Sequence, residues 1–224
     1  MNDEFITAVI PALNEASTIR EVVADVLTHV DEVIVVDDGS SDETATCARE
    51  AGAIIHRHRH NKGYDRSIED GFKLAAKRGA TVVFTFDADG QHHPGDIPRM
   101  IEPILGRDAD VVVGQRPTKA RIGEKVFAAY TRPRLRVADP LCGFKIYRIK
   151  VYEDIGHFDT HSMIGTQLIL EAKKSGYNLQ QRPINLYQRE DDSRFGQQVE
   201  ANLKILSAMM RLIWFDLMTI SYSK

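Results

Sequence analysis

Short apolar runs rich in β-branched residues recur along the first half of this chain, and the segments between them carry the period of a helix. Ile6–Ile10, Val33–Val36, Ala53–Ile55, Thr81–Phe84 and Val111–Gly114 each read as a short buried strand. After the first of these, Ile19, Val22, Val23, Val26, Leu27 and Val30 fall at helical spacing. Ser17 is placed to cap that helix, and Ser40 with Glu43 has the form of a capping box opening the next one. Ile68, Phe72, Ala75 and Ala76 mark a third helix, and Pro94–Leu105 a fourth. Strands alternating with helices through short connections predict an α/β fold: a mostly parallel central sheet flanked by helices. A length of 224 residues with 43% apolar content supplies the core such a sheet needs.

In an open α/β sheet, ligands gather at the carboxyl edge of the strands. Three polar clusters fall there: Asn14 and Glu15, Asp37 and Asp38, and Asp87 with Asp89. On a regular strand Asp87 and Asp89 would share one face. Adjacent carboxylates repel, and a shared proton or a divalent cation relieves them. Gln91 adds a neutral oxygen two residues on. Asp87, Asp89 and Gln91 therefore predict a site for Mg²⁺ or Mn²⁺, completed by substrate phosphates and water. Neither Gly-x-Gly-x-x-Gly nor Gly-x-x-x-x-Gly-Lys occurs, so an ion on Asp89 is the available way to hold phosphates. Asp37 and Asp38 read either as helix-capping residues or as acceptors for a ribose or base edge.

A net charge of −3 gives no whole-protein field directed at nucleic acid or membrane. Cys47 and Cys142 lack metal-ligand spacing and read as reduced thiols of a cytoplasmic protein. The start, Met1-Asn2-Asp3-Glu4, passes into a strand without a leader, and no run of apolar residues is long enough to span a bilayer. One segment stands out: residues 116–136 hold Arg116, Lys119, Arg121, Lys125, Arg132, Arg134 and Arg136 against the single acid Glu124. It reads as a solvated basic face or as a mobile segment that neutralises phosphates. On a strand the run His56-Arg57-His58-Arg59-His60 would put three histidines on one face and two arginines on the other, and with no acid near it in sequence it argues against a metal site. His92 and His93 are expected as supporting loop residues.

Five motifs occur in order: Pro11-Ala12-Leu13-Asn14-Glu15, Val36-Asp37-Asp38-Gly39-Ser40-Ser41-Asp42, Asn61-Lys62-Gly63, Asp87-Ala88-Asp89-Gly90-Gln91-His92 and Asp139-Pro140-Leu141-Cys142-Gly143-Phe144-Lys145. Through them the chain resembles the family 2 inverting glycosyltransferases of GT-A fold, most closely the dolichyl-phosphate mannose synthase and polyprenyl-phosphate glycosyltransferase branch. The resemblance covers roughly residues 5–196. It implies that Pro11, Leu13 and Glu15 line a nucleotide pocket and that Val36 and Asp38 hold the base or ribose. It implies that Asp87, Ala88, Asp89 and Gln91 meet the metal and the sugar diphosphate. Arg116 matches the arginine of the family's Gly-x-Arg motif. Arg189 and Arg194 match a basic flap over the phosphates, with Arg194 in place of the more usual lysine.

The expected division is a catalytic domain over 1–196 and an amphipathic helix over 197–224. Ser162–Lys174 reads as a helix, Ile184–Tyr187 as a strand and Leu203–Ile220 as a long helix with a broad apolar surface. Asp216 within that apolar part favours packing on the domain or a homo-oligomer seam over peripheral membrane docking.

The expected reaction moves a sugar from a UDP- or GDP-sugar to a polyprenyl or dolichyl phosphate, with inversion. A glycan hydroxyl is the alternative acceptor; it would need a base, for which Asp139 is the candidate. A nucleotidyltransferase making a nucleotide sugar is the second alternative. The region from Pro11 to Ser17 lacks the glycine-rich basic loop that chemistry requires.

Overall fold

A computed structural model of the chain describes residues 4–117, 122–187 and 195–220. Seven strands form one sheet in the order β3-β2-β1-β4-β6-β5-β7. The strands are β1 (Ile6–Ala12), β2 (Glu32–Asp37), β3 (Ile54–Arg57), β4 (Val82–Thr85), β5 (Val111–Gln115), β6 (Lys145–Arg148) and β7 (Leu179–Pro183). All neighbours run parallel except β6, which is antiparallel to both β4 and β5. Because β6 runs backwards, its first residue rather than its last lies at the carboxyl edge of the others. Lys145 pairs with Thr85 on one side and Val113 on the other. The rim therefore collects the ends of β1, β2, β4, β5 and β7 and the start of β6.

The helices are α1 (Ile19–Leu27), α2 (Thr44–Glu50), α3 (Tyr64–Lys77), α4 (Ile97–Leu105), α5 (Ile122–Leu135), α6 (Ile149–Ile155), α7 (Gln167–Lys174) and α8 (Phe195–Ile220). They cover both faces, as the apolar strands require. One core layer packs Val9, Ile34 and Val36 against Ile68 and Phe72 of α3 and Phe127 of α5. The other packs Ile10, Val35 and Phe84 against Val23 of α1 and Met100 of α4.

The first five strands stand where the apolar runs place them. Four other expectations need correction, and the basic segment becomes more specific. Ile184–Tyr187 is not a strand: the seventh strand is Leu179–Pro183, and only Leu186 makes an isolated bridge, to His92. The helix expected from Ser162 begins at Gln167, because Ser162 and Ile164 hold left-handed backbone, with φ of 55° and 56°. Neither Ser17 nor Ser40 caps a helix. Thr18 and Glu43 stand at those starts without a side-chain cap, and Ser40 instead accepts the Asn14 amide at 2.9 Å. β3 ends at Arg57, so His58 and His60 do not share a strand face. Of the basic segment, residues 122–135 form α5, with Phe127 and Leu135 in the core, while Lys119 and Arg121 lie outside the described residues.

Candidate active site at the sheet rim

The chain leaves β4 at Thr85, so strand alternation does not govern Asp87 and Asp89. They stand instead on a tight turn in which Gly90 takes φ +72°, backbone that favours glycine. Two contacts hold the turn. Thr18 at the head of α1 donates its hydroxyl to the Ala88 carbonyl at 2.8 Å, and the Tyr187 amide donates to the Gln91 carbonyl at 2.8 Å. The Asp89 carboxylate accepts the Gln91 amide at 3.1 Å. It also lines a cavity of about 450 Å³ with Thr18, Gly90, His92 and Tyr187.

Asp87 pairs with His92 Nε2 at 2.8 Å, and the His92 ring rests against Phe86 and Phe144. Burial works against the Asp87 charge. The His92 hydrogen bond, with the His92, Lys145 and Arg116 charges, outweighs it and holds the carboxyl below its usual range. Gly143 lies flat against this carboxylate, and a Cβ there would overlap both of its oxygens. An anionic, one-third-exposed Asp87 beside Asp89 fits the donor set expected for Mg²⁺ or Mn²⁺, with Gln91 half-buried next to them.

Arg116, just past β5, is fixed by Asp139. The Asp139 carboxylate accepts the Arg116 amide at 3.1 Å and its Nε and Nη2 at 2.8 Å each, and Asp139 is only 1% exposed. Glu124 of α5 lies 3.5 Å from the same guanidinium. Burial opposes the Arg116 charge, but Asp139 and Glu124 hold its pKa above the ordinary value. Cys142 is buried and its thiol is pushed up to about 12 by burial, so it is a packing residue rather than a nucleophile.

On the other side of the rim the loops after β1 and β2 are stitched together. The Glu15 amide donates to Thr44 Oγ1 at 2.8 Å, and Asn14 Oδ1 accepts the Ser41 amide at 2.9 Å. Asp38 accepts the amides of Lys62 and Gly63 at 2.8 Å each and pairs with His58 Nδ1 at 2.7 Å. His58 Nε2 meets Asp70 of α3 at 3.1 Å, and Arg66 meets the same carboxylate at 3.0 Å. The histidine run thus does have acidic partners, supplied from the loop after β2 and from α3 rather than from nearby sequence. His56, His58 and Asp70 offer ligand atoms within 4.8 Å of one another. Both His58 nitrogens and the Asp70 carboxylate already have protein partners, so the cluster reads as a clamp on the Asn61-Lys62-Gly63 loop. Val36 is wholly buried in the core, so its side chain reaches no ligand. Pro11 and Glu15 are half-buried, Leu13 is exposed, and Ala88 is buried, at the turn itself. Arg189 and Arg194 lie outside the described residues.

Sequence reasoning missed a third group. The Lys145 ammonium is buried and donates to the Gly165 carbonyl at 3.0 Å. Burial pulls its pKa below the ordinary lysine value. Asp159 gathers the amides of His161, Met163 and Gly165 at 2.9–3.1 Å. Near it, Asp65 at the head of α3 is raised to about 6 by burial and by the Asp159 charge. Tyr64, Asp65, Glu69, His157, Asp159 and Ser162 line a cavity of about 700 Å³ between α3 and this loop. The only sequence signal was the lysine inside Gly143-Phe144-Lys145, next to apolar Ile146.

Residues 7–171 match the model of the glycosyl transferase family 2. A UDP-N-acetylglucosamine–dolichyl-phosphate N-acetylglucosaminyltransferase of Methanococcus voltae is 29% identical over 95% of this chain and 97% of its own. A polyprenol monophosphomannose synthase of Mycolicibacterium smegmatis is 29% identical over 81% of this chain and 77% of its own. The architecture matches that of glucosyl-3-phosphoglycerate synthase from Mycobacterium tuberculosis, solved with Mg²⁺ and UDP. There the TM-score is 0.73 at 20% identity, over 93% of this chain and 79% of that one. The fold is the GT-A fold that the motif resemblance implies.

Proposed function

This chain belongs to glycosyl transferase family 2, and we propose that it transfers a sugar from a UDP- or GDP-sugar to the phosphate of a polyprenyl or dolichyl lipid. The observation that carries the acceptor class is the state of Asp139. Both of its oxygens are engaged by Arg116 and it is buried, so it is poorly placed to take a proton from a hydroxyl. A phosphate acceptor brings an oxygen that is already anionic and needs no base. The two relatives named for dolichyl and polyprenol phosphates support the same class.

In this reading Pro11, Leu13 and Glu15 face the nucleotide, and Asp38, its carboxylate taken up by Lys62, Gly63 and His58, shapes the loop that holds the base or ribose. Asp87, Asp89 and Gln91 would hold Mg²⁺ or Mn²⁺, which when bound supplies positive charge against the leaving diphosphate. His92 and Gly143 set the orientation of Asp87. Arg116, kept cationic and fixed by Asp139, stabilises charge that develops as the glycosidic bond to the diphosphate breaks. Arg189 and Arg194 add to that charge from the flap. The acceptor oxygen attacks from the face opposite the leaving group, inverting the anomeric centre. In this reading the proposed catalytic domain, 1–196, carries the chemistry, and α8 is the accessory helix of the proposed C-terminal segment, 197–224.

A hydroxyl acceptor is the second reading, and one observation favours it: Asp65, raised to about 6, borders the cavity between α3 and the Asp159 loop. A carboxylate titrating near neutrality suits a general base.

Labelled UDP-N-acetylglucosamine, UDP-glucose and GDP-mannose, offered with a short polyprenyl phosphate and either metal, should yield a lipid-extractable, acid-labile sugar phosphate. Transfer to hydroxyl acceptors alone would move the assignment to the second reading. Pyrophosphate release from a nucleoside triphosphate and a sugar phosphate would replace both with the nucleotidyltransferase.

A further inference from the structure

The helix α8 presents two unlike faces. Its underside buries Ile205, Ala208 and Leu212 against the domain. Asp216 lies on that same side, 4% exposed, where Tyr130 Oη (2.9 Å), Arg134 Nε (3.2 Å) and Lys174 Nζ (2.7 Å) surround its carboxylate. The acid that interrupts the apolar sequence is therefore turned inward, which removes the objection it raised to a membrane contact.

The outward face carries Leu203, Leu206, Met210, Trp214 and Leu217 at i+3 and i+4 spacing, and Met210, Trp214 and Leu217 are each more than half exposed. Exposed Lys204 and Arg211 flank this stripe on one side, and from Leu203 to Met218 the one acid is the buried Asp216. A contiguous apolar stripe of this size on a protein surface marks a contact.

We propose that this face lies in the interface of an anionic lipid bilayer, holding the sheet rim next to the membrane where a lipid-phosphate acceptor resides; the proposal rests on the lipid-acceptor reading above. Three observations select this occupant. An apolar stripe edged by cations, with no exposed acid between Leu203 and Met218, complements anionic headgroups. A second copy fits less well, because antiparallel two-fold pairing would set the Lys204–Arg211 edge of one helix against the same edge of the other. No described helix is long and apolar enough to cross a membrane, which leaves a surface position for this one.

The link to the site is direct. Arg211 Nη1 donates to the Ser162 carbonyl at 3.0 Å, and the rings of His161 and Phe215 lie 5.0 Å apart. That loop also wraps Asp159 and lines the cavity beside Asp65. Contact with lipid along α8 thus places the headgroup layer one loop away from the rim.

The test uses the full chain and vesicles of phosphatidylglycerol mixed with phosphatidylcholine. Wild type should float with them, less with phosphatidylcholine alone, and the emission of Trp214, the chain's one tryptophan, should shift to the blue. Met210→Glu with Leu217→Glu should weaken partition by about a hundredfold, about tenfold for each buried apolar side chain lost. Nucleoside diphosphate binding by the same variant, read by thermal shift, should be unchanged, which shows that it folds. No flotation of wild type, or undiminished flotation of a folded double variant, overturns the proposal. So does a wild-type dimer in sedimentation that the substitutions dissolve, since the stripe would then belong to a second copy. Glycosylation of a short water-soluble prenyl phosphate separates the two levels. Transfer without vesicle binding keeps the acceptor assignment and sinks the docking, whereas vesicle binding with hydroxyl transfer alone does the reverse.

Discussion

The two halves of the rim are held by different means. From β1 to β4, polar side chains are satisfied by backbone amides and by one another. Asp38 takes two amides and His58, Asp37 takes the Ser40 amide and Arg57, and Asn14 and Glu15 bind the loop behind β2. From β5 to β7, the rim is built from long cations and unusual backbone: Arg116, buried Lys145, and a loop in which Ser162, Ile164 and Gly165 all take positive φ. For β-branched Ile164 that conformation is a real strain. A cradle satisfied in advance suits a ligand that is always the same, the nucleotide diphosphate. A strained loop beside an open cavity suits the partner that must be admitted, positioned and released.

The largest effect should fall on the first half. Asp89→Ala should lower kcat/KM for sugar transfer by about a thousandfold, in keeping with loss of electrostatic stabilisation at a leaving group. The urea midpoint should hardly move. Full turnover in this variant would break the assignment of the turn. Gly143→Ala tests the junction between the halves. The added methyl group must push the Asp87 carboxylate aside, and a misplacement of that size should cost about a hundredfold in kcat. Metal-dependent protection against heat should weaken in parallel.

His58→Ala should cost about 2–3 kcal/mol of stability, because Asp38 and Asp70 lose a buried partner. It should weaken nucleoside diphosphate binding in calorimetry while leaving the KM for acceptor alone. An equal effect on both substrates would erase the distinction between the halves. The smallest effect should have the opposite sign. Asp65 titrates near 6 when folded against 3.8 for a free aspartate, so its contribution to stability is full below 3.8 and is lost as pH rises through about 6. Asp65→Asn should therefore raise stability above pH 7 by roughly 1–2 kcal/mol, discounted because the group is partly exposed to solvent, and change nothing below pH 4. Asp87 differs: its lowered pKa adds stability above the ordinary carboxylate value that is lost as pH falls below it. Urea melts of Asp65→Asn and Asp87→Asn across pH would show the contrast.

The same division explains what the sequence made legible. β1, β2, β4 and β5 are continuous β-branched runs buried on both faces, so their pattern is unambiguous, and Asp87, Asp89, Asp38 and Arg116 follow from where those runs stop. β6 escaped because Lys145-Ile146-Tyr147-Arg148 is short and bears a cation at each end; burial of Lys145 is a tertiary fact that no local pattern announces. β7 is Leu-Gln-Gln-Arg-Pro, the polar composition of a sheet edge, while the apolar stretch after it packs as a loop. The partners of His58 come from the loop after β2 and from α3, 20 and 12 residues away, so the clamp was invisible until the chain closed. Asp216 shows the same limit: composition shows that an acid is present, and only packing shows that it points inward onto the domain.

The reversed strand has a temporal consequence. Its neighbours in space, β4 and β5, precede it in the chain, and β6 must be threaded between them after both have been made. A ribosome that has released only the first 140 residues has supplied β1 to β5 with a gap one strand wide. The carboxylates of the turn are present by then, but Gly143 and Lys145 are not. Chemistry thus becomes available late in synthesis, and that open slot is where a nascent chain is most exposed to pairing with the wrong strand.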